Sequence, residues 1–211
     1  MPRQPSDHAR RTPRQRRSQA LVSAIVEGAS QVLAQEGPSA TTNRIAERAG
    51  VSVGSIYQYF PNKAAIFEAV ARRHIDRLTA LHTELVHELS ETPPDQAIPA
   101  AVRGLLAIES ADPALGEALY GMGESPEIIA RVRAFEASIA ETLAVYIAAR
   151  SATGHVRAPD PTLTAKVLVR AMAGVIRRTL AEEPQLVAHP RFTDELIVLV
   201  EGYLRPAAGG G

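Results

Sequence analysis

A chain of 211 residues, 45% hydrophobic and 22% charged, is long enough for one ordinary domain or two small ones and buries a core without staples. It has no cysteine, which excludes disulfide frameworks, thiolate zinc sites and cysteine nucleophiles, and no run approaches the roughly 18 apolar residues of a membrane span. The formal charge is zero, yet residues 1–63 carry nine basic against four acidic side chains and the remainder fourteen against nineteen, a basic head on an acidic body that assigns a polyanion to the head.

Apolar residues recur at helical spacing and nothing alternates as a strand, so the expectation is an all-α protein of about nine helices, cytoplasmic and not membrane-bound. The basic start forms no signal-peptide core, because Glu27 interrupts the run from Leu21 to Val26. A flexible basic leader is predicted over 1–15, a three-helix head over 16–63, a larger helical body over 64–205, and a frayed tail over 206–211. Leu21, Ile25, Ala29, Val32 and Leu33 mark the first helix, which Gly37-Pro38 stops. Thr41 or Thr42 caps the second, whose inward side is Ile45, Ala46 and Ala49, and Gly50 ends it. Ser52 caps a third helix running to about Tyr59. Pro61-Asn62 turns the chain into a long fourth helix with Phe67, Val70, His74, Leu78, Leu81, Leu85 and Leu89 on one face, ended by Pro93-Pro94. Further helices are expected near 96–110, 113–121, 125–150, 161–182 and 192–204, with Pro184 to Pro190 a connection. No repeat of 20 to 50 residues suggests a solenoid.

Two short helices joined by Gly50-Val51 form a helix-turn-helix pattern, in which one helix braces the backbone and the next enters the major groove. Val51 and Ile56 are apolar plugs. Val53, Gly54 and Ser55 are small enough to let the second helix approach base edges, and Tyr57 and Tyr59 carry hydroxyl donors suited to phosphate. The run from Thr41 to Lys63, followed by Ala65-Ile66-Phe67, resembles the DNA-binding domain of the TetR family of bacterial transcriptional regulators, over about fifty residues. The resemblance implies that Thr42 and the amides beginning the second helix hold a phosphate, and that Asn43 or Arg44 reaches a base or the backbone. It implies that Ser52, Val53, Gly54, Ser55 and Gln58 face the DNA, and that Tyr57, Tyr59 and Lys63 grip phosphates. Lys63 stands at a helix start, where a cation is unfavourable without an external anion. Arg14, Arg16 and Arg17 extend the contact along the backbone or into the minor groove.

Gly50-Val51-Ser52-Val53-Gly54 also satisfies the hydrolase signature G-x-S-x-G, but that serine needs a strand before it, and here a capped helix precedes it. No catalytic residue, cofactor or metal is therefore assigned. His74, His82 and His87 are eight and five residues apart, not a helical metal pair. His74 shares an apolar face with Val70 and Leu78, which suits a partly buried histidine or, alternatively, a pocket or relay residue.

In the TetR family the body holds a cavity for an inducing small molecule, expected here between about 100 and 180. Leu105, Ile108, Met122, Phe135, Ile139 and Met172, with Tyr120 or Tyr146 as polar contacts, are the candidates among otherwise ordinary core residues. The helices at 161–182 and 192–204 are apolar over much of their circumference, for which the family resemblance implies a homodimer through a four-helix interface, a purely intramolecular core being the alternative. The implied function is a ligand-released repressor on a palindromic operator. An architectural DNA-binding protein without effector, or a small helical enzyme, are the competing classes.

Overall fold

The computed structural model describes residues 13–90, 92, 96–109, 113–120 and 125–205. Among them the chain is all-α, with ten helices: α1 (Pro13–Glu36), α2 (Thr42–Ala49), α3 (Val53–Tyr57), α4 (Lys63–Ser90), α5 (Ala97–Glu109), α6 (Pro113–Tyr120), α7 (Pro126–Ala152), α8 (Pro161–Glu182), α9 (Pro184–Val187) and α10 (Pro190–Leu204). None is long and apolar enough to cross a membrane.

Six of these helices begin on a proline, whose fixed φ and missing amide suit the first helical position. That is why the 184–190 segment, expected as a connection, contains the single turn α9, and why α10 starts at Pro190 rather than 192. α1 is described from Pro13, so Arg14, Arg16 and Arg17 lie on its first two described turns; the rest of the expected leader, residues 1–12, and the tail over 206–211 lie outside the described residues. α3 stops at Tyr57 instead of Tyr59, because the amides of both Tyr59 and Phe60 turn back onto the Ile56 carbonyl (3.0 and 2.9 Å) and close the helix.

The head closes around Ile25, Leu33, Ile45, Ile56 and Ile66, each wholly buried. Gly28 is obligatory where α1 crosses α2, since a Cβ there would stand 2.9 Å from the Ala49 backbone nitrogen. The same apolar cluster continues through Phe67 and Val70 and takes in Leu115 and Ala118 from α6, well past the boundary expected at residue 63. A second cluster, around Ile147, Leu168, Leu180, Val187 and Leu204, forms the body, where α7 packs along α8 and α5 against α10. The Arg157 amide donates to the Leu204 carbonyl (2.8 Å), tying the α7–α8 connection to the end of α10. α4, packed on α1 at one end and on α5 and α7 at the other, spans both clusters.

Candidate functional site

Local capping builds the helix-turn-helix. Thr41, not Thr42, is the N-cap of α2: its hydroxyl accepts from the Arg44 amide at 3.3 Å. Gly50 then adopts the left-handed conformation, φ 67°, that a side chain resists, and the Val51 amide closes the turn on the Ala46 carbonyl (3.0 Å). The Ser52 hydroxyl caps α3 by accepting from the Ser55 amide (3.0 Å) and lies 2.8 Å from the Ser55 hydroxyl. With α2 before it and α3 after it, Ser52 has a helix where a nucleophile elbow needs a strand.

This geometry leaves one end of the head polar and open. Gly54, Tyr57, Gln58 and Tyr59 are exposed along α3 and the turn after it, Asn43 is exposed on α2, and Thr42 and Ser55 are half-buried. Val53 is half-buried against the head core, so it has less surface to offer than the other α3 positions. The Tyr59 hydroxyl is 3.2 Å from that of Ser18, which ties the turn after α3 to α1 near the exposed Arg16 and Arg17. Arg14 lies in the first turn of α1; its side chain is outside the described residues.

Two of the residues expected to reach DNA, Arg44 and Lys63, already have protein partners. Arg44 bonds Glu36 (2.9 Å) and Glu47 (2.6 Å), and its pKa is raised first by the Glu36 bond and then by the Glu47 bond. Such exposed pairs are weak, so a phosphate can replace a carboxylate there. Lys63 donates to the Pro38 carbonyl (3.2 Å) and its ammonium stands 5.3 Å from the centre of the Phe67 ring, while Asn62 caps α4 through the Ala65 amide (2.9 Å). The carbonyl and the ring face explain a lysine at a helix start without an external anion. Behind the head, Glu27 of α1 accepts from Gln31 (2.7 Å) and pairs with Arg73 of α4 (2.8 Å); the Gln31 bond, ahead of the arginine, holds its carboxyl below the usual range despite partial burial.

In the body the helices line a partly open cavity of about 440 Å³. Leu105, Phe135, Ile139, Tyr146 and Met172 are among the residues that line it. Ile108 is half-buried on α5 but is not in the lining, and the Tyr120 side chain and Met122 fall outside the described residues. The cavity also reaches beyond the expected 100–180. One wall is α4, through Ala71, His74, Ile75, Leu78, His82 and Leu85, and the far end is closed by Val200 and Leu204 of α10. The apolar face of α4 was visible in the sequence; that it borders a void was not, because periodicity marks a buried face without saying what covers it. His82 meets the Phe135 ring edge-on (6.0 Å between centroids), and burial lowers its pKa. The charged side chains in the described lining are Glu136 and Arg177, which bond each other at 2.5 Å.

A third feature is apolar and outward-facing. Leu163 and Val167 on α8, and Val198, Leu199 and Tyr203 on α10, are exposed large side chains on the two helices expected to pair with a second subunit.

Residues 25–70 match the family model described as bacterial regulatory proteins, tetR family, and residues 93–204 match that of the tetracyclin repressor-like C-terminal domain. The nucleoid occlusion factor SlmA of Haemophilus ducreyi is 48% identical over 40 residues, which are 19% of this chain and 20% of that protein, so the chain spans about a fifth of that relative's length. Among solved structures, a TetR transcription regulator from Haloarcula marismortui superposes with a TM-score of 0.69 at 17% identity, covering 88% of this chain and 97% of its own. FadR of Bacillus subtilis, in complex with stearoyl-CoA, gives 0.64 at 15% identity, with 87% and 99% covered. The TetR regulator SCO0520 of Streptomyces coelicolor gives 0.52 at 28% identity, with 89% and 99% covered.

Proposed function

The chain belongs to the TetR family of bacterial transcriptional regulators, and from that premise we propose that it is a dimeric repressor that holds an inverted-repeat operator and lets go when a small molecule fills the body cavity. The recognition surface is the exposed edge of α3 with the turn after it: Ser52, Val53, Gly54, Ser55 and Gln58 toward bases, Tyr57 and Tyr59 toward phosphates. Thr42, Asn43, Arg44, Lys63 and the α1 arginines Arg14, Arg16 and Arg17 supply further backbone contacts. The exposed apolar faces of α8 and α10 support the homodimer, since Leu163, Val167, Val198, Leu199 and Tyr203 are left in water by the single chain and a second copy would shield them.

The observation that carries the release mechanism is the double role of α6. Gly116 and Leu119 border the cavity, while Leu115 and Ala118 belong to the apolar core of the head. A ligand that prefers one placement of α6 and α4 therefore shifts the population of head orientations, and with it the spacing of two recognition helices that must sit about one DNA turn, roughly 34–36 Å, apart. That one structural neighbour is a complex with stearoyl-CoA is in keeping with an effector that carries a hydrocarbon chain.

The test is thermodynamic. Operator selected from random DNA should be an inverted repeat, and a molecule that thermally stabilises the protein through the cavity should bind the operator complex more weakly by the same factor by which it weakens operator binding. Equal affinity for free and DNA-bound protein, across every stabilising molecule found, means a constitutive DNA-binding protein instead.

A further inference from the structure

Resting on the reading of the body cavity as the effector site, the geometry points to Glu136 and Arg177 as the residues that set the chemical class of the effector: an uncharged, mainly hydrocarbon molecule ending in a group, such as a hydroxyl or amide, that both donates and accepts a hydrogen bond.

The lining is almost entirely aliphatic and aromatic, so most of the occupant must be apolar too. Against that background the charge inventory is short. Among the described lining residues only Glu136 on α7 and Arg177 on α8 carry permanent charge, and they spend it on each other at 2.5 Å, Glu136 with a 23% and Arg177 with a 39% exposed side chain. The pair is thus at the edge of the cavity, partly shielded, and presents adjacent acceptor and donor surfaces with no net charge. A carboxylate brought to this edge gains Arg177 but faces Glu136, and must leave water to do so; an ammonium meets the mirror-image problem at Arg177. A hydroxyl avoids both, donating to the Glu136 oxygen and accepting from the guanidinium. His82, also in the lining, adds no cationic counter-charge at neutral pH, because burial favours its neutral form. Glu136 therefore acts as a specificity residue: by occupying Arg177 it withholds the one strong cation that would otherwise recruit anionic lipids.

The experiment uses the full-length protein and two probes of equal chain length, 1-decanol and decanoate, with calorimetry of binding at neutral pH and no DNA present. The wild type is expected to bind the alcohol at least about tenfold more tightly than the carboxylate. Glu136→Gln frees Arg177, so decanoate affinity should rise about tenfold or more while decanol changes little, and Glu136→Gln/Arg177→Gln should restore the preference for alcohol. Should Glu136→Gln fail to fold, Arg177→Gln leaves Glu136 alone and should instead recruit decylammonium. A wild type that prefers decanoate, that binds neither probe, or whose selectivity is unmoved by the substitutions overturns the assignment. These readouts do not involve operator release, so failure of the repressor reading shows separately, as ligand binding without any effect on DNA.

Discussion

In the head, Ile25, Leu33, Ile45, Ile56 and Ile66 are wholly withdrawn from water and α1 approaches α2 so closely that only glycine fits at position 28; in the body, Phe135, Ile139 and Tyr146 remain half-buried because they border some 440 Å³ of space. The two regions use the same helical architecture for opposite ends. A filled core has one arrangement and holds the helix-turn-helix rigidly, whereas a hollow one has packing energy still unrealised, which on the proposed reading an effector would supply.

The sharpest way to break this contrast is to remove the same methyl groups from both regions. Ile56→Ala should cost about 2–5 kcal/mol in urea denaturation and abolish DNA binding, while Ile139→Ala should cost about 1 kcal/mol or less, since its neighbours already lack part of their contacts. Equal losses would mean that the body is packed as tightly as the head.

Adding a methyl group probes the converse. Gly28→Ala drives a Cβ into the Ala49 backbone and should destabilise by about 1–3 kcal/mol. In Gly104→Ala the three atoms nearest the new Cβ all belong to the Leu85 side chain, the first at 2.6 Å, and Leu85 can swing into the cavity it lines, so its thermal midpoint should stay near wild type. A Gly104→Ala variant as unstable as Gly28→Ala would show that Leu85 has nowhere to go.

A third comparison separates stability from recognition. Ser52→Ala and Ser125→Ala each delete an N-cap hydroxyl and should each cost about 1 kcal/mol, but only Ser52→Ala should weaken operator binding. The smallest effect expected is on pH dependence. Burial keeps His82 below its ordinary value of 6.5, so the unfolded chain takes up that proton more readily; stability should decline as pH falls below about 6.5, and His82→Phe should flatten part of that decline. An unchanged profile would place His82 in a wetter setting than the Phe135 contact indicates.

The sequence was most legible where a local rule acts on adjacent residues. Thr41, Gly50 and Ser52 place the head's turns, and the bounds of α8 follow from Pro161 and the end of its apolar periodicity. Prolines misled when read only as stops, because Pro184 and Pro190 start helices. Partnerships over long sequence distance were not legible: Lys63 with Pro38, Glu136 with Arg177, and the α4 wall with α7 and α8. Composition and spacing identify which face of a helix is buried, but a void leaves no mark on the chain that forms it.

The presence of Leu115 and Ala118 in the head's core also bears on how such proteins can be recombined. A chimera cut after Val70 would carry the helix-turn-helix but leave behind two of the side chains that seal it, opening an apolar gap under α1. Grafting this helix-turn-helix onto another helical body of the family therefore requires transplanting α6, or its two contact positions, together with the first 70 residues. The inherited unit of DNA recognition here is discontinuous in sequence, and swaps that respect it should retain affinity where simple fusions lose it.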